Sequence, residues 1–252
     1  MAKLVGILNI TPDSFSDGGL FVKPEQAIEH AAQLFREGAA LIDIGAESTR
    51  PDAMPISDDE EWRRLEPVLR VLVPRYPDRI SVDTYHPATV WRSSAIGPVI
   101  INDVTGMNNP DMMEAVLKLH ATCIVSHLPG TSIQLAHQQK PVTSVAEVKS
   151  DLLAKEKLLL DGGLDRGQII LDPGIGFGKT PELNWQLLRF AEVVPGRTVM
   201  IGYSRKRFLG NERMQLEPNL EAGRIAVQSG AHYLRVHDVA GHKALTEPPN
   251  SQ

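Results

Sequence analysis

The sequence predicts an α/β chain folded as a (β/α)8 TIM barrel, one domain spanning residues 1–252, and three observations predict it. Eight short apolar runs recur near residues 4–8, 39–44, 79–83, 98–103, 121–126, 168–172, 197–202 and 232–237, and most gaps between them carry helical periodicity. That alternation is the pattern of parallel strands joined by right-handed helical crossovers. The length of 252 residues matches the roughly 250 that such a barrel occupies as one domain. Finally, a polar side chain ends one run after another: Asn9, Asp43, Asp83, Asn102, His127, Asp172, Ser204 and His237. Parallel strands of a closed barrel end on one rim, so these residues would converge on a single pocket. An open, doubly wound sheet is the alternative that the same alternation allows.

The elements follow in order. Leu4-Val5-Gly6-Ile7-Leu8 leads to Asn9, and the loop over 10–22 is long and rich in Gly, Pro, Ser and Asp, as a lid over a catalytic face would be. A helix starts near Pro24, carries Ala27, Ala31, Leu34 and Phe35 on one face, and stops at Gly38. The second strand ends in a similar loop over 45–57. Ser57 with Glu60 has capping-box spacing before Trp62, Leu65, Val68, Leu69 and Leu72, and Ser144 with Glu147 repeats it before Val148, Leu152, Leu153 and Leu159. Ile80-Ser81-Val82 ends at Asp83, Val99-Ile100-Ile101 at Asn102, and Gln168-Ile169-Ile170-Leu171 at Asp172. Beyond Asp238 only Ala240 to Leu245 is left before a Pro-Pro segment, so the last helix is expected to be truncated.

Composition excludes several classes. A net charge of −5 leaves no broad basic surface for nucleic acid. No apolar stretch approaches the roughly 20 residues of a membrane helix. Met1-Ala2-Lys3 runs straight into a strand with no targeting segment, so a cytoplasmic protein is expected. The single cysteine, Cys123, permits no intrachain disulfide and lies in the apolar run Ala121 to Val125, where a buried small hydrophobe is expected rather than a reactive thiol. His120, His137, His232 and His242 have no metal-ligand spacing, which argues against a zinc enzyme.

Asp172-Pro-Gly-Ile-Gly-Phe177-Gly-Lys179-Thr180 has the look of a phosphate loop but not its spacing: Pro173 stands where the first Walker glycine belongs, and Lys179 breaks the dinucleotide fingerprint. Either its glycines let backbone pass beneath a flat ligand, with Phe177 as an aromatic edge, or the segment is a structural tight turn. Asp83, Asn102 and Asp172 together suit the donor-rich edge of a heterocycle such as an aminopyrimidinone, with Lys206 donating to its acceptors; alternatively each Asp caps a following helix. Arg50, Arg205, Lys206, Arg207, Arg235 and His237 gather at strand ends in a chain of net negative charge, which points to a phosphate or diphosphate substrate. Arg213 and Arg224 read as solvated charges.

Taken together, the motifs resemble the dihydropteroate synthase family: Gly6-Ile-Leu-Asn9-Ile-Thr-Pro-Asp13-Ser-Phe15-Ser-Asp-Gly-Gly19, Asp43-Ile-Gly-Ala-Glu47-Ser-Thr49-Arg50-Pro51, Ser81-Val-Asp83-Thr84, Ile101-Asn102-Asp103-Val104, the Asp172 to Lys179 segment, Ser204-Arg205-Lys206 and Arg235-Val-His237-Asp238. The resemblance implies the barrel fold and the condensation of 6-hydroxymethyl-7,8-dihydropterin diphosphate with p-aminobenzoate. It implies that Asp83, Asn102, Asp172 and Lys206 hold the pterin and that Asn9, Thr49, Arg50, Arg235 and His237 bind the diphosphate, with Asp43 among the substrate-binding groups and Asn9 also a ligand of Mg2+. It further implies that Asp83, Asp172, Lys206, Arg235 and His237 form the catalytic set. Phe15, Thr49, Pro51 and Phe177 would wall the aminobenzoate slot, for which sulfonamides compete, and a homodimer is expected. The chain departs from the family pattern at Ala46, at Asp52, in Ser126-His127-Leu128-Pro129-Gly130, at Arg207 and in a shortened Gly210 to Pro218 segment. Two other readings share the pterin barrel: a pterin-binding protein without turnover, and a methyltetrahydrofolate:corrinoid methyltransferase, which would not need the Arg235 and His237 pair.

Overall fold

The computed structural model describes residues 1–11, 23–48, 53–130, 132–138 and 140–247. Eight strands, β1 (Lys3–Asn9), β2 (Leu41–Gly45), β3 (Ile80–Asp83), β4 (Ile100–Asp103), β5 (Cys123–Ser126), β6 (Ile169–Asp172), β7 (Thr198–Gly202) and β8 (Tyr233–Val236), close into one barrel in chain order. Every pairing is parallel, and β8 returns to β1 with Tyr233 opposite Lys3 and Val236 opposite Gly6. Closure excludes the open sheet.

Side chains alternate across a strand, so residues two apart share a face. Val5, Leu41, Ile124, Ile170 and Met200 form one apolar cluster with Ile100 and Tyr233 against it. Two residues further along the same faces stand Asp43, Asn102, Ser126, Asp172, Gly202 and Arg235. The chemistry therefore sits directly above a dry floor, toward the C-terminal ends of the strands. The opposite strand faces, with Leu4, Leu8, Ile42, Ile44, Ile101, Val125, Leu171, Ile201 and Leu234 among them, join the larger core beneath the helices. Cys123 is fully buried there, and burial pushes its thiol up to about 12, so it is the inert hydrophobe expected.

The helices are α1 (Pro24–Glu37), α2 (Asp58–Arg75), α3 (Pro87–Ser94), α4 (Pro110–Leu119), α5 (Ile133–Gln138), α6 (Val145–Asp161), α7 (Pro181–Leu187), α8 (Phe190–Val193), α9 (Leu216–Gln228) and α10 (Val239–His242). α1 starts on Pro24 and ends on Gly38, whose φ of 113° is left-handed and lets its N–H reach the carbonyls of Leu34 and Phe35. Ser57 caps α2, its Oγ accepting from Glu60 N at 3.3 Å, and Ser144 caps α6, accepting from Ala146 N at 3.2 Å. The reciprocal arm expected of Glu60 is replaced: its carboxylate takes Arg63 and Arg64 at 2.7–2.8 Å, because two guanidiniums outcompete one backbone N–H. After β8 the chain makes one helical turn, α10, and a 3-10 turn over Lys243–Thr246, the truncated ending expected. Among the described residues no helix is long and apolar enough to cross a membrane.

Candidate active site

Arg235, third residue of β8, organises one half of the centre. Its Nε donates to Asp43 Oδ2 at 2.6 Å and its Nη2 to Asp83 Oδ2 at 2.7 Å, while Asn102 Nδ2 donates to the same Asp43 oxygen at 2.9 Å. Asp43 is fully buried and Asn102 nearly so. Burial pushes the Asp83 carboxyl up to about 7, with the Asp43 charge adding and Arg235 opposing. Burial works against the Arg235 cation too, but Asp43 and Asp83 outweigh it and raise its value, so the guanidinium stays charged. Arg235 therefore lies deeper than a rim cation: two of its donors already serve carboxylates.

Asp172 and Lys206 make the other half. Asp172 Oδ1 accepts from Gly174 N at 2.7 Å, a local turn bond rather than the helix cap of the alternative reading, since Thr180 caps the helix that follows; its Oδ2 lies toward Gly202. Lys206 Nζ donates to Ile175 O at 2.5 Å and lies 5.2 Å from the centre of the Phe177 ring, within cation–π reach. Burial lowers the Lys206 ammonium to about 8 and raises the Asp172 carboxyl, each opposed by the other's charge.

The halves meet at Gly202. A β-carbon there would stand 3.6 Å from Asp172 Oδ2, 3.7 Å from Lys206 Nζ and 3.8 Å from Arg235 Cβ. The missing side chain keeps that space open. Asp43 Oδ1 and Asn102 Oδ1 are buried acceptors with no protein donor, an arrangement that favours a ligand bringing N–H groups. Val104 and Leu128 are buried in one apolar cluster with Tyr85 and Phe177.

The Asp172 to Thr180 segment corrects one expectation. A β-carbon on Gly174, at φ 64°, would lie 2.0 Å from His127 O, and one on Gly178, at φ 55°, would lie 2.4 Å from Ala136 O. These glycines admit protein backbone, not a flat ligand. Buried Lys179 holds the turn from inside, donating to the carbonyls of Gly174 at 2.8 Å, Phe177 at 3.0 Å and His127 at 3.2 Å. The tight-turn reading holds at Gly174 and Gly178, whereas a β-carbon on Gly176, at φ 88°, would lie 3.2 Å from Lys206 Cδ, so this part of the loop and Phe177 border the site lysine.

At the rim, Asn9 is exposed at the end of β1 and half-buried His237 faces Ser204, with Nδ1 3.0 Å from Oγ. Arg205 and Arg207 are exposed and do not join the cluster, so the cationic gathering read from sequence narrows to Lys206, Arg235 and His237 among the described residues. Arg224 pairs with Glu217 at the surface. Phe15, with residues 12–22 of the first long loop, and Thr49, Arg50, Pro51 and Asp52 of the second lie outside the described residues.

Sequence reasoning missed Gly202 as part of the centre, and also a polar cluster beside it. Glu47, Glu61 and His86 bring ligand-type atoms within 4.8 Å of one another. Protein donors already occupy that cluster: Thr84 and Thr89 donate to Glu61 at 2.8 and 2.5 Å, and Tyr85 donates to Glu47 at 2.5 Å. It is a hydrogen-bonded network rather than a cage for an ion. A cavity of about 380 Å³ opens elsewhere, between His127, Lys140, Glu147 and Lys155, and shares none of the Asp83, Asn102, Asp172, Lys206 and Arg235 cluster.

The chain matches the model of the family described as pterin binding enzyme over residues 5–237. It is 36% identical over 243 residues to the dihydropteroate synthase of Escherichia coli K12, covering 94% of this chain and 86% of that one. The solved dihydropteroate synthase of Xanthomonas albilineans with 4-aminobenzoic acid superposes with a TM-score of 0.86 at 38% identity, over 97% of this chain and 91% of that chain. The Yersinia pestis dihydropteroate synthase in complex with a sulfonamide drug gives 0.88 at 32% identity, over 97% and 91%.

Proposed function

The chain belongs to the pterin binding enzyme family, with dihydropteroate synthase activity, and from that premise we propose which of its side chains carry the reaction. The pterin ring turns its amino and N–H edge to the acceptor oxygens of Asp83, Asn102 and Asp172, and Lys206 donates to its carbonyl and ring nitrogen. Asp43 fixes Arg235, and Arg235 with His237, Asn9, Thr49 and Arg50 takes the diphosphate arm. As the carbon–oxygen bond breaks, negative charge grows on diphosphate and positive charge on the pterin methylene. Cationic side chains stabilise the first and the Asp83 and Asp172 carboxylates the second. The arylamine of p-aminobenzoate then attacks the cation, in a slot walled by Phe15, Thr49, Pro51 and Phe177, with no covalent nucleophile required.

Asn9 suits Mg2+: it offers a neutral amide oxygen at an exposed strand end, and this hard cation keeps most of its waters and takes the rest of its ligands from phosphate. When bound, the ion supplies charge neutralisation to the leaving diphosphate. By the same reading one pterin-binding domain spans 1–252, the protein is a cytoplasmic homodimer, and sulfonamides compete with p-aminobenzoate.

The observation that supports this reading is that Asp172, Lys206 and Arg235 border the side-chain-free position of Gly202, while Arg235 bonds Asp43 and Asp83 and Asn102 bonds the same Asp43 oxygen. A coupled diphosphate-release assay with pterin diphosphate, Mg2+ and p-aminobenzoate, repeated without the amine, tests it. Amine-dependent release is expected; a protein that binds pterin but releases no diphosphate would overturn the mechanism.

A further inference from the structure

Lys206 is carried by the connection over 203–215, between β7 and α9. One buried side chain holds that connection at both ends. Asn219, the fourth residue of α9, accepts from Arg205 N at 2.8 Å through Oδ1, and through Nδ2 it donates to Arg213 O at 2.8 Å and Gln215 O at 2.6 Å. A side-chain amide accepts at one end and donates twice at the other, so the residue type fits three backbone partners of mixed kind.

The bond to residue 205 falls on a sterically costly position. Arg205 has a φ of 61°, in the left-handed region that a residue with a β-carbon adopts only at a price in crowding. Lys206 comes next, and its N–H closes a turn onto Tyr203 O at 3.1 Å. The turn brings Nζ back over the end of β7, 3.7 Å from where a β-carbon on Gly202 would stand. The surface that receives the lysine is pinned in the same way: buried Asn184, in α7, accepts from Gly176 N at 2.8 Å, and Gly176 lies against the Lys206 stem.

We propose that Asn219 is a positioning residue: by holding Arg205 in its left-handed conformation it aims the Lys206 ammonium at the pterin ring and so sets pterin affinity. This rests on the role proposed above for Lys206. Asn219 itself stays behind the connection and touches no substrate. Its acceptor bond to Arg205 N carries the effect, while the two donor bonds fasten the far end of the connection to the same helix.

The test is calorimetric binding of a pterin lacking the diphosphate to the wild type, Asn219→Ala, Asn219→Asp, Arg205→Gly and the double variant Asn219→Ala with Arg205→Gly, with thermal unfolding of each as a parallel readout. Asn219→Ala is expected to weaken pterin binding about tenfold. Asn219→Asp keeps the acceptor for Arg205 N and loses both donors, so its affinity should stay within threefold of the wild type although its Tm falls. Arg205→Gly alone should bind within twofold of the wild type. Added to Asn219→Ala it should recover most of the affinity, because glycine keeps a left-handed φ without support; an asparagine that served stability alone would show no such recovery. Unchanged affinity in Asn219→Ala, or a double variant no better than Asn219→Ala, would overturn the proposal while leaving the function intact. A tenfold loss in Asn219→Asp would overturn it too, whether or not Asn219→Ala folds. A wild type that binds no pterin would overturn the function and this inference with it.

Discussion

Asp43 and Asp83 share one guanidinium, so Arg235→Ala leaves two buried carboxylates side by side with no counter-charge. Breaking a buried pair this way typically costs about 3–5 kcal/mol. The loss should depend on pH, because the raised Asp83 value of about 7 means that this carboxyl is protonated and stabilising at low pH, and that its contribution disappears as pH rises toward 7. Chemical denaturation should therefore find Arg235→Ala more harmful at pH 8 than at pH 5; equal losses at both would contradict the geometry. Asp172→Asn removes a charge-assisted acceptor and is expected to weaken pterin-diphosphate binding by about 1–3 kcal/mol by calorimetry. Lys206→Ala is expected to abolish synthesis while leaving the circular dichroism spectrum unchanged, since the side chain of this partly exposed residue bonds the Ile175 carbonyl and faces Phe177 rather than packing in the apolar core. At Gly202 an added methyl meets only ordinary contacts of 3.6 Å and longer. Gly202→Ala should thus fold normally yet bind pterin at least tenfold more weakly, and unchanged affinity would remove this position from the site.

At the level of elements, the strands were legible as short, largely apolar runs with a polar residue at or near their C-terminal ends, and that pattern exposed Asp43, Asp83, Asn102 and Asp172. Gly202 was not, since a glycine at a strand end looks like the start of a turn. Lys179 was legible as part of a motif but not as a structural ammonium: spacing cannot say whether a side chain turns outward to an anion or inward to three carbonyls. Glu47, Tyr85 and His86 lie in quoted or adjacent segments, but their contact runs between two loops and leaves no periodic trace. The short helices α5 and α8, six and four residues long, are too brief to show a period. The caps were visible, and Ser144→Ala in α6 is expected to lower unfolding free energy by about 1 kcal/mol with kcat/KM unchanged; a fall in kcat/KM would mean that α6 is coupled to the centre.

Across the whole molecule, the floor of apolar side chains and the polar layer above it belong to strands of the same closed barrel, so ligand binding and global stability are linked. Saturating pterin diphosphate at one hundred times its Kd should add about 2.7 kcal/mol, a rise in Tm of roughly 5–10 °C for a chain of this size, measurable by differential scanning fluorimetry. No rise would mean that the ligand does not choose the closed barrel over the unfolded chain. Closure has a further consequence. The bond from Arg235 to Asp43 spans 192 residues of sequence and the bond to Asp83 spans 152. On a translating ribosome the two aspartates are made early and must wait, without their cation, until β8 emerges. A product cut short before Tyr233 would lack both the seam of the barrel and the charge that steadies its acids, so catalytic competence arrives in one step, with the last stave.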